Sequence, residues 1–421
     1  MRIQLRILML PMLLTACSIL QTASEDILQQ VGINTTERPH DESIEGDDDT
    51  IPDCSEDVNV PYFGTSPVAL DDLASLIPLG NLNPPGHTFP TDHIYLFLRR
   101  SDPTDPVSVP VETNVFAPGD AWITSVVFVE HLYSDPPFTD YTIRFSPCRQ
   151  LEAYFMHISS LSPELLAQID PQQEPTCRQY TAGGSLYNYC ELWGLQIPIQ
   201  EGEVIGTAGG RMGQNALDLG AMDARVPPLA YANPSRHYSN PSGFDPFHVV
   251  CPIDYFEAEV RSQLMGLFGG WGDDPRRTIE PVCGEVMQDI PGTARGKWYL
   301  RGSIDPFPED PHIALVHGNI DPTRAVFSVG TSVPGLESAP YYFDPQVEGI
   351  FNLDFSQITP GETIYCYSDF INRFGSPQNH LDFRLLLELT PESILRIEMQ
   401  TGMDCGDSPY AFGEHIAEFE R

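Results

Sequence analysis

The stretch Ala121-Trp122-Ile123-Thr124-Ser125-Val126-Val127-Phe128-Val129 is dense in β-branched and aromatic residues and contains no Gly or Pro. Such a run fits a pleated strand better than a helix. Similar runs flank it, His93-Ile94-Tyr95-Leu96-Phe97-Leu98 before and Tyr141-Thr142-Ile143-Arg144-Phe145 after, with Pro, Gly and Asp at the breaks. Residues 61–223 therefore read as an all-β domain. One short helix is expected at Ser162-Pro163-Glu164-Leu165-Leu166-Ala167-Gln168-Ile169, with Ser162 as N-cap and Pro163 at the first helical position. Residues 224–290 change character and read as a loop and helix connector. Phe256, Val260, Leu264 and Leu267 recur at helical spacing in Asp254–Phe268, and Gly269-Gly270 ends the run. Strands return over residues 291–421, among them Gly296–Leu300, Ala325–Val329 and Phe383–Leu389, predicting a small barrel or sandwich. The fold class expected is mainly β: two β domains with a short helical connector.

Charge narrows the function. The chain has 421 residues, 59 acidic against 22 basic, for a formal net charge of -37. Such a polyanion repels phosphate backbones, so nucleic acid is excluded as a partner. Lys297 is its one lysine, which leaves no second lysine for Schiff-base or P-loop chemistry. Arg2 and Arg6 precede the apolar run Ile7–Leu14, which has the length of a secretory leader and is too short to span a bilayer. Leu14-Thr15-Ala16-Cys17 resembles the lipobox of bacterial lipoprotein signals, in which the cysteine is lipidated. This places residues 1–17 as a leader and Cys17 as the membrane attachment, on the extracytoplasmic side of a bacterial envelope. Residues 18–60 carry twelve acidic side chains and few large apolar ones, as a disordered tether would. Eight cysteines remain, an even number suited to disulfides in an exported chain. Proximity pairs Cys177 with Cys190, Cys251 with Cys283 and Cys366 with Cys405.

Chemistry concentrates in Gly80-Asn81-Leu82-Asn83-Pro84-Pro85-Gly86-His87-Thr88-Phe89-Pro90-Thr91-Asp92-His93. Imidazole and carboxylate are both zinc ligands. Asp92 and His93 would point to opposite faces if both lay in a strand, so His87 with Asp92 is the natural pair. Gly-x-Ser-x-Gly, Ser-x-x-Lys and His-Glu-x-x-His are absent.

Four pieces follow in order: Gly86-His87 with Asp92; Val115-Phe116-Ala117-Pro118-Gly119-Asp120-Ala121-Trp122-Ile123; Tyr154-Phe155-Met156-His157-Ile158-Ser159; and Ile199–Gly209 with its spaced glycines. In this order the region 80–223 resembles the lysostaphin-like (LytM-type) zinc endopeptidases, which cut peptidoglycan cross-bridges. The resemblance implies a LytM-like antiparallel β domain over residues 61–223, with zinc as cofactor. His87, Asp92 and Asp218 fall at the metal-ligand positions and His157 at a catalytic one. The chain also departs from the family. Four residues separate His87 from Asp92 where the family has three, and the closing His-x-His is Ala216-Leu217-Asp218. Two functions fit this pattern. One is an envelope lipoprotein whose LytM-like domain binds or scaffolds, with peptidoglycan or an envelope protein as partner and a retained metal site. The other is an active metal-dependent envelope hydrolase.

Overall fold

The computed structural model describes residues 50–421 except 106, 132–136, 183–184, 238–243, 271–274, 374, 379–380 and the side chains of 180–185. The leader, Cys17 and the tether up to residue 49 lie outside the described residues. Residues Asp49–Arg421 form one compact unit, and it is mainly β, as expected, with two antiparallel sheets.

The first sheet contains β1 (Leu73–Ile77), β2 (His93–Leu98), β3 (Thr113–Phe116), β4 (Ala121–His131), β5 (Phe138–Cys148), β6 (Leu151–Leu161), β7 (Thr176–Ala182), β8 (Ser185–Ile199), β9 (Val204–Ala208), β10 (Ala216–Asp223) and β11 (Val249–Val250). Its main path runs β1-β2-β10-β6-β5-β4-β8-β7. Strand β10 is buried along its whole length, with β2 and then β11 on one edge and β6 on the other. Alternation sorts its side chains. Leu217, Leu219 and Ala221 join Ile94, Leu96 and Leu98 of β2 in the main apolar core, leaving Ala216, Asp218 and Gly220 to the opposite face.

The second sheet contains β12 (Gly296–Leu300), β13 (Ile313–His317), β14 (Ala325–Val329), β15 (Ala339–Phe343), β16 (Tyr365–Tyr367), β17 (Phe383–Leu389), β18 (Leu395–Thr401) and β19 (Ala417–Glu420). The expectation of a barrel or sandwich resolves into one sheet of eight strands, ordered β15-β14-β13-β12-β19-β18-β17-β16. One face, with Trp298, Ile313, Leu315 and Phe327, packs its own core. The other face, with Tyr299, Ala314, Val316 and Val326, receives Leu82 and Phe89 from the loop before β2. Both sheets therefore hold the loop that carries His87 and Asp92.

Helices are few. The one-turn α1 (Pro163–Leu166) starts as expected, with Ser162 Oγ accepting from Leu165 N at 3.1 Å. The connector helix is shorter than its spacing suggests. Pro252–Tyr255 forms a 3-10 turn, and α2 spans only Ala258–Met265. Between them Phe256 is drawn into a bridge with Phe63, and Glu257 N donates to Phe63 O at 2.8 Å, so backbone pairing outcompetes the first helical turn. Ordered structure also begins earlier than the tether boundary at residue 60. Asp53 pairs with Arg149 at 2.7 Å, and Cys54 is bonded to Cys148.

The three expected disulfides are present, and Cys54–Cys148 is the fourth. It closes 94 residues of chain. On chain-entropy grounds, Cys54→Ser with Cys148→Ser should lower unfolding free energy by about 4–5 kcal/mol. Denaturant titration of oxidised protein measures this. A loss under about 1 kcal/mol would show that the bond does not anchor the N-terminal segment.

Candidate functional site

Asp218 stands at the centre of the site. Its neighbours across the sheet are Tyr95 on β2 and Met156 on β6. The residue is 1% exposed, so its carboxylate needs compensating partners. Two imidazoles approach the same oxygen: His93 Nε2 lies 3.4 Å from Asp218 Oδ2, and His157 Nε2 lies 3.3 Å from it.

Each imidazole is oriented from behind by a second carboxylate. His93 Nδ1 lies 2.9 Å from Asp92 Oδ1, the oxygen to which Tyr154 OH also donates at 3.0 Å. His157 Nδ1 lies 2.8 Å from Asp140 Oδ2, and His131 Nε2 meets that oxygen at 3.0 Å. The contact between Asp92 and His93 arises because Asp92 sits in the bend before β2, where strand alternation does not apply.

Local backbone features aim these groups. Met156 and His157 form a bulge between the pairs Ile143–Phe155 and Tyr141–Ile158, and His157 has φ 66°. A left-handed backbone at a non-glycine is strained by about 1–3 kcal/mol, and such strain clusters at functional sites. Gly220 leaves room for Tyr154, since a Cβ there would lie 2.2 Å from the ring's Cζ. That space lets the phenol cross β10 to reach Asp92. His87 completes the group, its ring centroid 5.6 Å from that of His93 and the two rings nearly perpendicular.

The environment separates the histidines. Burial, helped by the His93 charge, pushes His87 down to about 4. Burial also opposes the proton on His93 and on His157, but Asp218 with Asp92 or Asp140 outweighs it and raises both above the ordinary imidazole value. Burial would raise Asp140, yet its bonds to His131 and His157 hold it at about 2.

Buried polar atoms without a hydrogen-bond partner here include His93 Nε2, Asp218 Oδ1 and Tyr95 OH. Separations of 3.3 and 3.4 Å are long for charge-assisted hydrogen bonds, but they match the edge, about 3.4 Å, of a tetrahedron with zinc-type bonds near 2.0–2.1 Å. The donor chemistry thus fits a divalent cation, although among the described residues no three such side chains already form a finished metal-binding group. The expected residues His87, Asp92, Asp218 and His157 all belong to this neighbourhood. His93, Asp140, His131 and Tyr154 join them. His131 and Asp140 have no recognisable spacing to the others in sequence, and only the β4–β5 pairing brings them together.

Ala216, set against a histidine in the resemblance to the LytM pattern, lies on the same face of β10 as Asp218. It is 8% exposed and packs with Ile77 and Tyr95 in a small apolar cluster. Compared with known proteins, the chain matches no family model and no curated sequence.

The histidines should titrate far apart in metal-free protein. His157, its pKa raised, should keep its proton above the ordinary imidazole range, adding stability that is present below about pH 6.5 and lost as pH rises through the raised value. His87, depressed to about 4, should stay neutral in mild acid, and its contribution is lost as pH falls from about 6.5 towards that value. Imidazole NMR titration reads both. Coincident midpoints near the ordinary value would contradict the cluster.

Proposed function

We propose that this chain is a lipid-anchored envelope protein whose first sheet carries an altered LytM-like domain. In this reading the domain works as a metal-binding recognition or scaffolding module. The observation that carries it is the Asp218 carboxylate, buried, facing two imidazole nitrogens and leaving Oδ1 unpaired. His93 and Asp218 would hold the cation, with His87 or His157 as the third ligand. Asp92, Tyr154 and Asp140 would act behind them by fixing imidazole orientation, as carboxylates behind metal-bound histidines do.

Bound zinc would supply Lewis acidity at an oxygen of the ligand. Efficient hydrolysis needs more than that. The apolar setting of Ala216 removes one proton-handling group from the face where the family has it. A second reading, slow metal-dependent hydrolysis, is favoured by one feature. His157 is 44% exposed and oriented by Asp140, and Asp218 with Asp140 holds it above the ordinary imidazole value in the metal-free state, which favours the protonated form a general acid needs. Peptidoglycan or an envelope protein is the partner proposed for either reading.

Calorimetric titration of zinc into the chelator-treated full chain should give one site. Asp218→Asn and His93→Gln should each weaken it at least about 100-fold, the size expected for loss of a ligand or its close support. Peptidoglycan turnover should be undetectable for the binding module and abolished by His157→Ala if the hydrolase reading holds. Zinc affinity unchanged by both ligand substitutions would overturn the proposal.

A further inference from the structure

The second sheet contributes an unusual charge beside the loop that bears His87 and Asp92. Lys297 is the one lysine among 22 basic side chains. It lies on β12, on the same face as Tyr299 by strand alternation, and is only 7% exposed. Its ammonium sits 5.2 Å from the ring centroid of Phe89 and 5.2 Å from that of Tyr231. Phe89 is the middle of the His87–Asp92 loop, and its N–H donates to Glu309 Oε2 at 2.8 Å. The rings of Tyr299 and His312 pack against Phe89, with centroids 5.3 and 5.6 Å away.

Among the described residues, no ion pair and no hydrogen bond holds the Lys297 ammonium. Burying an ammonium costs several kcal/mol, while each cation–π contact returns about 0.5–2. Nζ itself is not sealed from solvent, so an acceptor from outside the protein can reach it. Two carboxyl groups stand near without pairing. Asp92 feels the ammonium as one of several charges, and burial pushes Glu309 up to about 7 against its pull. A chain that uses arginine everywhere else keeps here the compact cation with three rotatable donors.

We infer that Lys297 Nζ anchors the carboxylate of a ligand, a small carboxylic acid or the carboxylate end of a peptide, lying against the His87–Asp92 loop. A monoanion satisfies the ammonium. Asp92 and Glu309 would repel a phosphate dianion about twice as strongly as a carboxylate monoanion. The second sheet thus forms one wall of the site and holds no separate binding function in this scheme. The assignment does not rest on the metal proposal, because every group in it belongs to the protein.

The single lysine makes the test direct. The full chain, labelled with carbon-13 and nitrogen-15 in lysine alone, gives one side-chain ε-CH2/Nζ signal. With chelator present, sodium acetate should shift that signal saturably, whereas sodium chloride at equal ionic strength should leave it in place. Acetate should also raise the unfolding temperature of the natural protein, and Lys297→Gln should abolish that rise. If acetate leaves the signal unmoved, the ammonium has only a structural role and the inference fails. If inorganic phosphate binds as tightly as acetate, selectivity for a monoanionic carboxylate fails. Because chelator is present throughout, neither outcome depends on whether zinc binds at Asp218.

Discussion

The buried carboxylate of Asp218 sets the terms for the rest of the first sheet. It sits on a strand covered at both edges, at 1% exposure, where an uncompensated charge would cost several kcal/mol. Compensation has to come from the neighbouring strands, and each supplies one imidazole: His93 at the start of β2 and His157 at the bulge of β6. Asp218 itself, and then the carboxylates behind them, raise both imidazoles above their ordinary value and so favour their protonated forms. Asp92, His93, Asp218, His157 and Asp140 form a chain of alternating acid and base, 2.8 to 3.4 Å between members. The partners overlap: if His157 is lost, Asp218 still faces His93 and Asp140 still faces His131.

Precision in this chain depends on groups outside it. Tyr154 fixes Asp92 through a space that only Gly220 leaves open. The loop carrying Asp92 is held from the other side by the second sheet, through Phe89 packed on Tyr299 and through the bond from Phe89 N to Glu309. This is why the C-terminal strands matter to the site although none contributes to the acid–base chain. The loop is fixed from both sides, by Tyr154 of the first sheet and by the packing on the second.

Much of the scaffold was legible in the residues. The β-branched and aromatic runs at His93–Leu98, Ala325–Val329 and Phe383–Leu389 coincide with strands, because half-buried pleated surfaces select those side chains. Ser162 before Pro163 marked a helix start for a local reason, the cap bond itself. Polar segments were harder. Strands β7 and β8 carry Arg, Gln, Asn and Glu at an edge of the sheet, where the pattern of burial is weak. At the site, His87, Asp92, His157 and Asp218 could be picked out by ordered motifs, whereas His93 was set aside by a strand-alternation rule that fails at a bend. Asp140 and His131 gave no signal, since their pairing depends on long-range register. Lys297 was visible as the one lysine, but its aromatic enclosure appears only once Phe89 and Tyr231 are brought together in space.

The central claim is that Asp218 and His93 hold a divalent cation. Anomalous diffraction at the zinc edge, from crystals of the protein grown with zinc, tests it most directly. The account predicts a peak within about 2.2 Å of both an Asp218 carboxylate oxygen and His93 Nε2. Zinc bound elsewhere, with an ordered water on the Asp218 carboxylate and the His93–Asp218 separation unchanged, would contradict it.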